Sequence, residues 1–327
     1  MRPLKFFLAS LFTLSILIIG CSSNDHKVVK LKIAHGLNMD HPVHQAMEFL
    51  ADRALEKSNG SLVIDIYPSE QLGNEKECIE QLQLGILSMT KVSSSPLESF
   101  VPNIKVFAMP YLFRDAEHKW KVFTGPIGKE LLVESSAKGL RGLCYYDAGA
   151  RSFYTKSKPI LHPDSLKGLK IRVQQSPMAI KMVDVLGGSA TPIPWGELYT
   201  ALQQGVVDGA ENNEPSLYTS RHYEVAKHYS LDEHTMVPDV LLISTLQWNG
   251  LGESHKKILQ EAADESVPHQ RKLWADFVEK SMDEMMAKGL TVYTPDKAPF
   301  MERAQGMYKE FEGTEIGNLA KRIQEVQ

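Results

Sequence analysis

The chain has 327 residues, 43% of them hydrophobic and 23% charged, with 36 basic and 40 acidic side chains and a formal charge of −4. These proportions exclude a disordered chain, which lacks apolar residues, and a nucleic-acid binder, which clusters Lys and Arg to meet phosphates. The length exceeds what one hydrophobic core usually covers, so two domains are expected.

At the N-terminus, Arg2 and Lys5 flank the start of an apolar run over residues 6–19, followed by Gly20, Cys21 and a polar stretch. Spanning a bilayer as a helix takes about 20 apolar residues, so the run reads as a secretory signal rather than a membrane span. Ile18-Ile19-Gly20-Cys21 resembles the lipobox of bacterial lipoproteins. That resemblance implies a signal peptide over residues 1–20, lipidation of Cys21 and a tether over residues 21–27. An ordinary signal with a chance cysteine is the other reading. Cys78 and Cys144 remain as one disulfide or as two buried thiols, both open, and neither has the spacing of a zinc site.

Val29, Leu31 and Ile33 alternate with Lys30 and Lys32, the period of a strand. Val43, Met47, Leu50 and Ala54 recur at helical spacing, and Asn59-Gly60 stops that helix. Leu62, Ile64 and Ile66 alternate again, so the segment predicts a βαβ unit with parallel strands. Asn74 and Glu77 predict a capped helix ending at Gly85, and residues 87–92 the next strand. A strand over 140–146 leads to a loop at 147–150, read as a first crossing between domains. Beyond it come a strand at 169–173, a helix opening at Ser176-Pro177 and ending at Gly187-Gly188, a helix over 195–204 and a strand over 206–211. The chain is expected to cross back near Pro238 into a buried strand at 240–245. A helical pattern over 253–288 is long enough to brace both domains, and Pro268 should kink or divide it. A strand at 290–293 and further helical segments complete the chain.

The sequence has no G-x-S-x-G elbow, no G-x-G-x-x-G after a strand and no P-loop. His41 and His44 share one helix face at metal-ligand spacing, but without a third ligand they read as two half-exposed histidines at a helix start. Asp208 and Glu211 stand three apart in a strand, so they face opposite ways and do not share acid–base work. Arg172 lies between Ile171 and Val173, pointing away from the face that those two bury. Such an arginine needs an anion: an internal carboxylate, or a ligand carboxylate held by its planar fork. Arg151 follows the crossing loop. Asn212 and Asn213 end a strand, where they form an Asx turn or meet ligand hydroxyls. Trp195, at a helix start, fills core or stacks on a sugar face.

Taken together, the blocks LKGLKIRV around Arg172, TPIPWGELYTALQQGVVDGAEN, IYPSEQLGNEKECIEQLQLG and VFAMPYLFRD resemble the signature of solute-binding proteins of tripartite ATP-independent periplasmic (TRAP) transporters. The resemblance implies an α/β, two-lobed periplasmic binding protein fold, type II-like and of the Venus-flytrap kind, with a long C-terminal helix bracing both lobes. Lobe I would comprise 28–149 plus 238–277, and lobe II 150–237 plus 278–327. It also implies a non-enzymatic protein without a cofactor, closing over an organic acid and delivering it to a membrane permease driven by an ion gradient. Carried over by position, Arg172 makes the ligand salt bridge and Arg151 is the second site arginine. Asn212, Trp195, Glu75 and Ser93 complete the site, with His35 and Asn38 as weaker matches. The run over residues 208–234 is similar to the hexuronate-binding branch, implying glucuronate or galacturonate. A surface lipoprotein enzyme acting on uronic-acid polymers, or a ligand sensor for a membrane receptor, are the rival readings. Many members of this family are free in the periplasm, so an anchored Cys21 would set this chain apart.

Overall fold

The computed structural model describes residues 28–327, so the leader, Cys21 and the tether lie outside the described residues. Eleven strands are described: β1 (Val29–Ala34), β2 (Leu62–Tyr67), β3 (Met89–Ser93), β4 (Leu140–Tyr146), β5 (Arg151–Thr155), β6 (Lys170–Val173), β7 (Ser189–Pro192), β8 (Gly209–Asn212), β9 (His228–Thr235), β10 (Asp239–Ser244) and β11 (Thr291–Tyr293). They form two sheets, of order β2-β1-β3-β10-β4 and β11-β9-β5-β8-β6-β7. The chain passes from the first sheet to the second through residues 147–150, between β4 and β5. It returns through residues 236–238, between β9 and β10.

In the first sheet β1 pairs in parallel with β2 and β3, as the βαβ pattern requires, while β10 runs antiparallel between β3 and β4. The helix Pro42–Lys57 buries Val43, Ala46, Met47, Leu50 and Ala54, the i, i+3, i+4 stripe legible in the sequence. This stripe packs with Leu31, Ile33 and Leu259 in one core. The helix Glu75–Gln83 starts on a full capping box: Asn74 accepts from the Glu77 N–H, and Glu77 accepts from the Asn74 N–H. Asn74→Ala removes one half of that reciprocal cap and is expected to cost about 1 kcal/mol, read as a lower Cm in urea at unchanged m-value.

The helix Glu253–Ala287 is one unbroken helix of 35 residues with Pro268 inside it. The expected division there does not occur. Proline removes a single backbone hydrogen bond, and packing on both sides of it holds the axis together. Ahead of the proline, Leu259, Ala262 and Ala263 pack in the first-sheet core. Near the far end, Met285 packs with Tyr154, Leu217 and Tyr223 of the second. At 1.5 Å per residue the helix is about 52 Å long and bridges both sheets.

Other differences have local causes. The strand expected at 206–211 begins only at Gly209, because the N–H groups of Val206 and Val207 still donate to Ala201 and close the preceding helix. β7 and β9 were not expected, nor were the helices Ala116–Thr124 and Pro126–Glu134. The helix Glu315–Gln324, grouped with lobe II in the sequence reading, packs on Pro102–Ala108 instead. Arg114 ties that end down by donating to the carbonyls of Gln324 and Val326. Cys78 and Cys144 are two buried free thiols, so the disulfide alternative falls away. Burial pushes the Cys78 thiol up to about 11 and raises that of Cys144 too.

Candidate functional site

Strand ends and helix starts of the two sheets enclose a small cavity, the place where α/β folds hold small ligands. The first-sheet side supplies Glu75, Lys91, Ser93 and Asp239; the second supplies Arg151, Arg172, Gln174, Trp195, Asn212 and Asn213. Trp274 of the long helix closes part of the wall.

Arg172 is 2% exposed. Its Nε donates to the Ile193 carbonyl at 2.9 Å, while Nη1 is buried with no partner. Among the described residues it forms no salt bridge, so the internal-carboxylate alternative is not what this arginine does. Burial lowers its pKa, the mark of a cation held in an apolar place without a bonded counter-charge. Its guanidinium carbon lies 5.6 Å from the ring of Trp195, which is half-buried rather than core.

Arg151 differs. Its Nε bonds Glu211, its Nη1 donates to Asn212 Oδ1 at 2.8 Å, and its Nη2 donates to the Glu211 carbonyl and carboxylate. Four of its five N–H groups are spent inside the protein, so Arg151 positions Asn212 and keeps one Nη1 N–H unassigned at the cavity lining. Behind it, His234 joins Glu211 to Asp232, with 2.8 Å from Nδ1 to the Asp232 carboxylate. Burial opposes charge on Glu211, but Arg151 and His234 outweigh it and hold the carboxyl near 2. Burial likewise opposes protonation of His234, and Asp232 with Glu211 raises it to about 9. A ladder of matched charges thus fixes this wall.

Asn212 Oδ1 also accepts from the Asn213 N–H, which turns its carbonyl oxygen to the protein and leaves the NH2 group as the part to offer. Asn213 has both ends occupied: Oδ1 caps the helix Glu214–Thr219 through the Ser216 N–H, and Nδ2 donates to the Ala148 carbonyl. Glu75 Oε1 accepts from the Ser93 N–H at 2.8 Å and lies 3.5 Å from Lys91 Nζ. Lys91 also reaches Asp239 Oδ1 at 3.2 Å. The Ser93 hydroxyl donates to Gln174 of the other side at 3.3 Å.

Two expected residues stand off the cavity wall. His35 is buried behind it, where Nδ1 accepts from the Leu37 N–H and Nε2 meets His44 Nδ1 at 2.9 Å, shaping the turn after β1. Asn38 is exposed and donates to the Thr219 carbonyl at 2.7 Å, tying that turn to the second-sheet side. His41 and His44, expected half-exposed, are both buried, and His41 lines the cavity 3.4 Å from Ser216 Oγ. Sequence reasoning missed Lys91, Gln174, Asp239 and Trp274. Lys91 carried a signal, since a lysine inside the apolar strand MTKVS needs a buried counter-charge. Trp274 carried none, because its helix face looks like any other amphipathic stripe.

Further contacts hold the sheets together around the cavity. Glu70 accepts from the Gly196 N–H at 3.1 Å, and Glu98 accepts from the Ser176 hydroxyl at 3.0 Å and the Met178 N–H at 2.9 Å. Two carboxylates of one side therefore cap helix starts of the other.

Two α/β sheets clasping a cavity with one unmatched cation define a binding protein for an anionic small molecule. Residues 33–314 match the bacterial extracellular solute-binding protein family 7, and the chain belongs to this family, the periplasmic solute-binding proteins of TRAP transporters. The uncharacterized protein YiiZ of Salmonella typhimurium is 39% identical over 303 residues, covering 92% of this chain and 91% of that one. A TRAP periplasmic solute-binding protein from a Bradyrhizobium species, in complex with α/β-D-galacturonate, is 42% identical with a TM-score of 0.88, covering 90% of this chain and 99% of that chain. One from Pseudomonas putida F1 with bound D-glucuronate is 36% identical with a TM-score of 0.88, covering 91% and 98%.

Proposed function

We propose that this protein captures a hexuronate, D-galacturonate or D-glucuronate, and hands it to a membrane permease driven by an ion gradient. The buried, unpartnered Nη1 of Arg172 carries the reading, since it calls for an anion that the protein itself does not supply. In this reading Arg172 grips the sugar carboxylate and Trp195 covers the ring. Asn212, Glu75 and Ser93 meet hydroxyls, Arg151 is the second arginine of the site and also holds Asn212, while Asn213, His35 and Asn38 hold the frame. Two relatives with bound hexuronates support the same class. The closing bodies are lobe I, 28–149 plus 238–277, and lobe II, 150–237 plus 278–314, with the tail 315–327 moving with the first.

A thermal-shift screen tests the ligand. A compound at 100 times its Kd adds about 2.7 kcal/mol of stability, so hexuronates should raise Tm where sialic acid and four-carbon dicarboxylates do not. No shift with either hexuronate overturns the reading.

The lipid anchor at Cys21 rests on the sequence motif. Cys21→Ser is expected to abolish incorporation of labelled palmitate in growing cells and to move the protein out of the membrane fraction. Unchanged labelling in that variant refutes the anchor.

A further inference from the structure

The residues facing Arg172 across the cavity differ from it in kind. Lys91 Nζ lies 3.2 Å from Asp239 Oδ1 and 3.5 Å from Glu75 Oε1, and all three line the cavity from the first-sheet side. One ammonium there serves two carboxylates. The other titratable groups against the cluster do not restore the balance. Arg151 is matched by Glu211, and burial, reinforced by Lys91, holds His35 and His41 neutral. The first-sheet wall is thus short of one positive charge, and the second-sheet wall, at Arg172, has one too many.

We propose that Asp239, together with Lys91 and Glu75, determines the ligand class by reading hydroxyl groups and excluding a second carboxylate. The inference rests on the sugar-acid reading of the cavity. A ligand whose single carboxylate meets Arg172 lays its remaining atoms against the first-sheet wall. Sugar hydroxyls suit that wall, because each donates to a carboxylate oxygen and accepts from the ammonium. A carboxylate in the same place only accepts. It would stand as a third anion around one cation, in a buried setting where like charges repel strongly. Burial pushes the Asp239 carboxyl up, and Glu75 adds to this against the pull of Lys91 and Arg151. Selectivity then comes from a repulsive element as well as from the grip of Arg172.

Calorimetry with D-galacturonate and galactarate tests this, since galactarate carries a carboxylate at both ends. The wild-type protein should bind galacturonate about 100-fold or more tighter than galactarate. Asp239→Asn keeps the side chain's shape and removes its charge. It should weaken galacturonate and bring galactarate within about tenfold of it. Glu75→Gln should shift the ratio in the same direction, and it carries the test if Asp239→Asn does not fold. A merely structural role would lower both affinities alike and leave the ratio unchanged, which overturns the inference. Wild-type protein binding both acids within tenfold overturns it too, while leaving the sugar-acid reading in place. Wild-type protein binding neither galacturonate nor glucuronate overturns that reading and this inference with it.

Discussion

Arg172→Ala is expected to abolish useful hexuronate binding while leaving the ligand-free protein as stable as before or more so. Truncating one partner of a buried charge pair costs about 2–5 kcal/mol, a rise in Kd of roughly 30- to 5,000-fold. The stability half of the prediction follows from the missing internal partner: a buried guanidinium with an unbonded Nη1 costs folding energy that alanine does not. Arginines that serve the fold behave in the opposite way, since their loss strands a carboxylate. Arg172→Lys should recover only part of the affinity, because a point charge cannot match both carboxylate oxygens as the planar fork does. Calorimetry gives the affinities and thermal unfolding the stabilities. Wild-type affinity in Arg172→Ala refutes the assignment, and a large fall in ligand-free Tm converts Arg172 into a structural residue.

Hexuronate affinity is also expected to rise as the solution is acidified from pH 8 to pH 6. Glu98 is the cause. Its Oε1 caps the helix Pro177–Leu186 of the opposite side, and Oε2 is buried without a partner. Burial pushes its carboxyl up to about 7, against the opposing pull of the Met178 N–H, the Ser176 hydroxyl and Lys105. Lys181 and Asp184 complete the charged groups around the adjoining crevice. In the closure proposed above, parting of the lobes would return water to Glu98 and let its carboxyl fall back toward the ordinary range. The closed form therefore holds the proton more tightly than the open form. Closure gains from acidification between about pH 7 and the ordinary glutamate value, and gains nothing above about pH 8. For a single group of this kind, Kd should be about tenfold lower at pH 6 than at pH 8. Glu98→Gln should bind as tightly at pH 8 as at pH 6. A pH profile that keeps its slope in that variant assigns the effect elsewhere, and Glu70, also raised by burial at the Gly196 N–H, is the next group to change.

How much of this was legible in the sequence depended on whether the signal was local. The capping box at Asn74, the proline-led helix after Ser176 and the alternation in β1 and β2 are written in neighbouring residues, and each is found where expected. β9 was missed because His228, Asp232 and His234 make it read as polar, and only the contact of His234 with Glu211 of β8 explains how the last two come to be buried. The same limit applied to the site. Arg172 announced itself as a charge between two apolar neighbours. The different fate of Arg151 was hidden, since its partner Glu211 is sixty positions away and meets it only through the pairing of β5 with β8. Asp239 and Lys91 are separated further still, and the contact exists only because β10 inserts beside β3.

That insertion has a consequence for how the molecule comes into being. β10 is an inner strand of the first sheet, hydrogen-bonded to β3 on one side and β4 on the other. The chain between β4 and β10 builds nearly all of the second sheet. A nascent chain that has emerged only as far as β4 carries both halves of the first sheet with their facing edges unpaired, and nothing joins them until residue 244 is available. Closing that gap means pairing β10 with β4, about 100 residues away, and with β3, about 150 residues away, contacts of high sequence separation and hence slow to form. The placement of a single strand thus ties completion of the first sheet to synthesis of nearly all of the second.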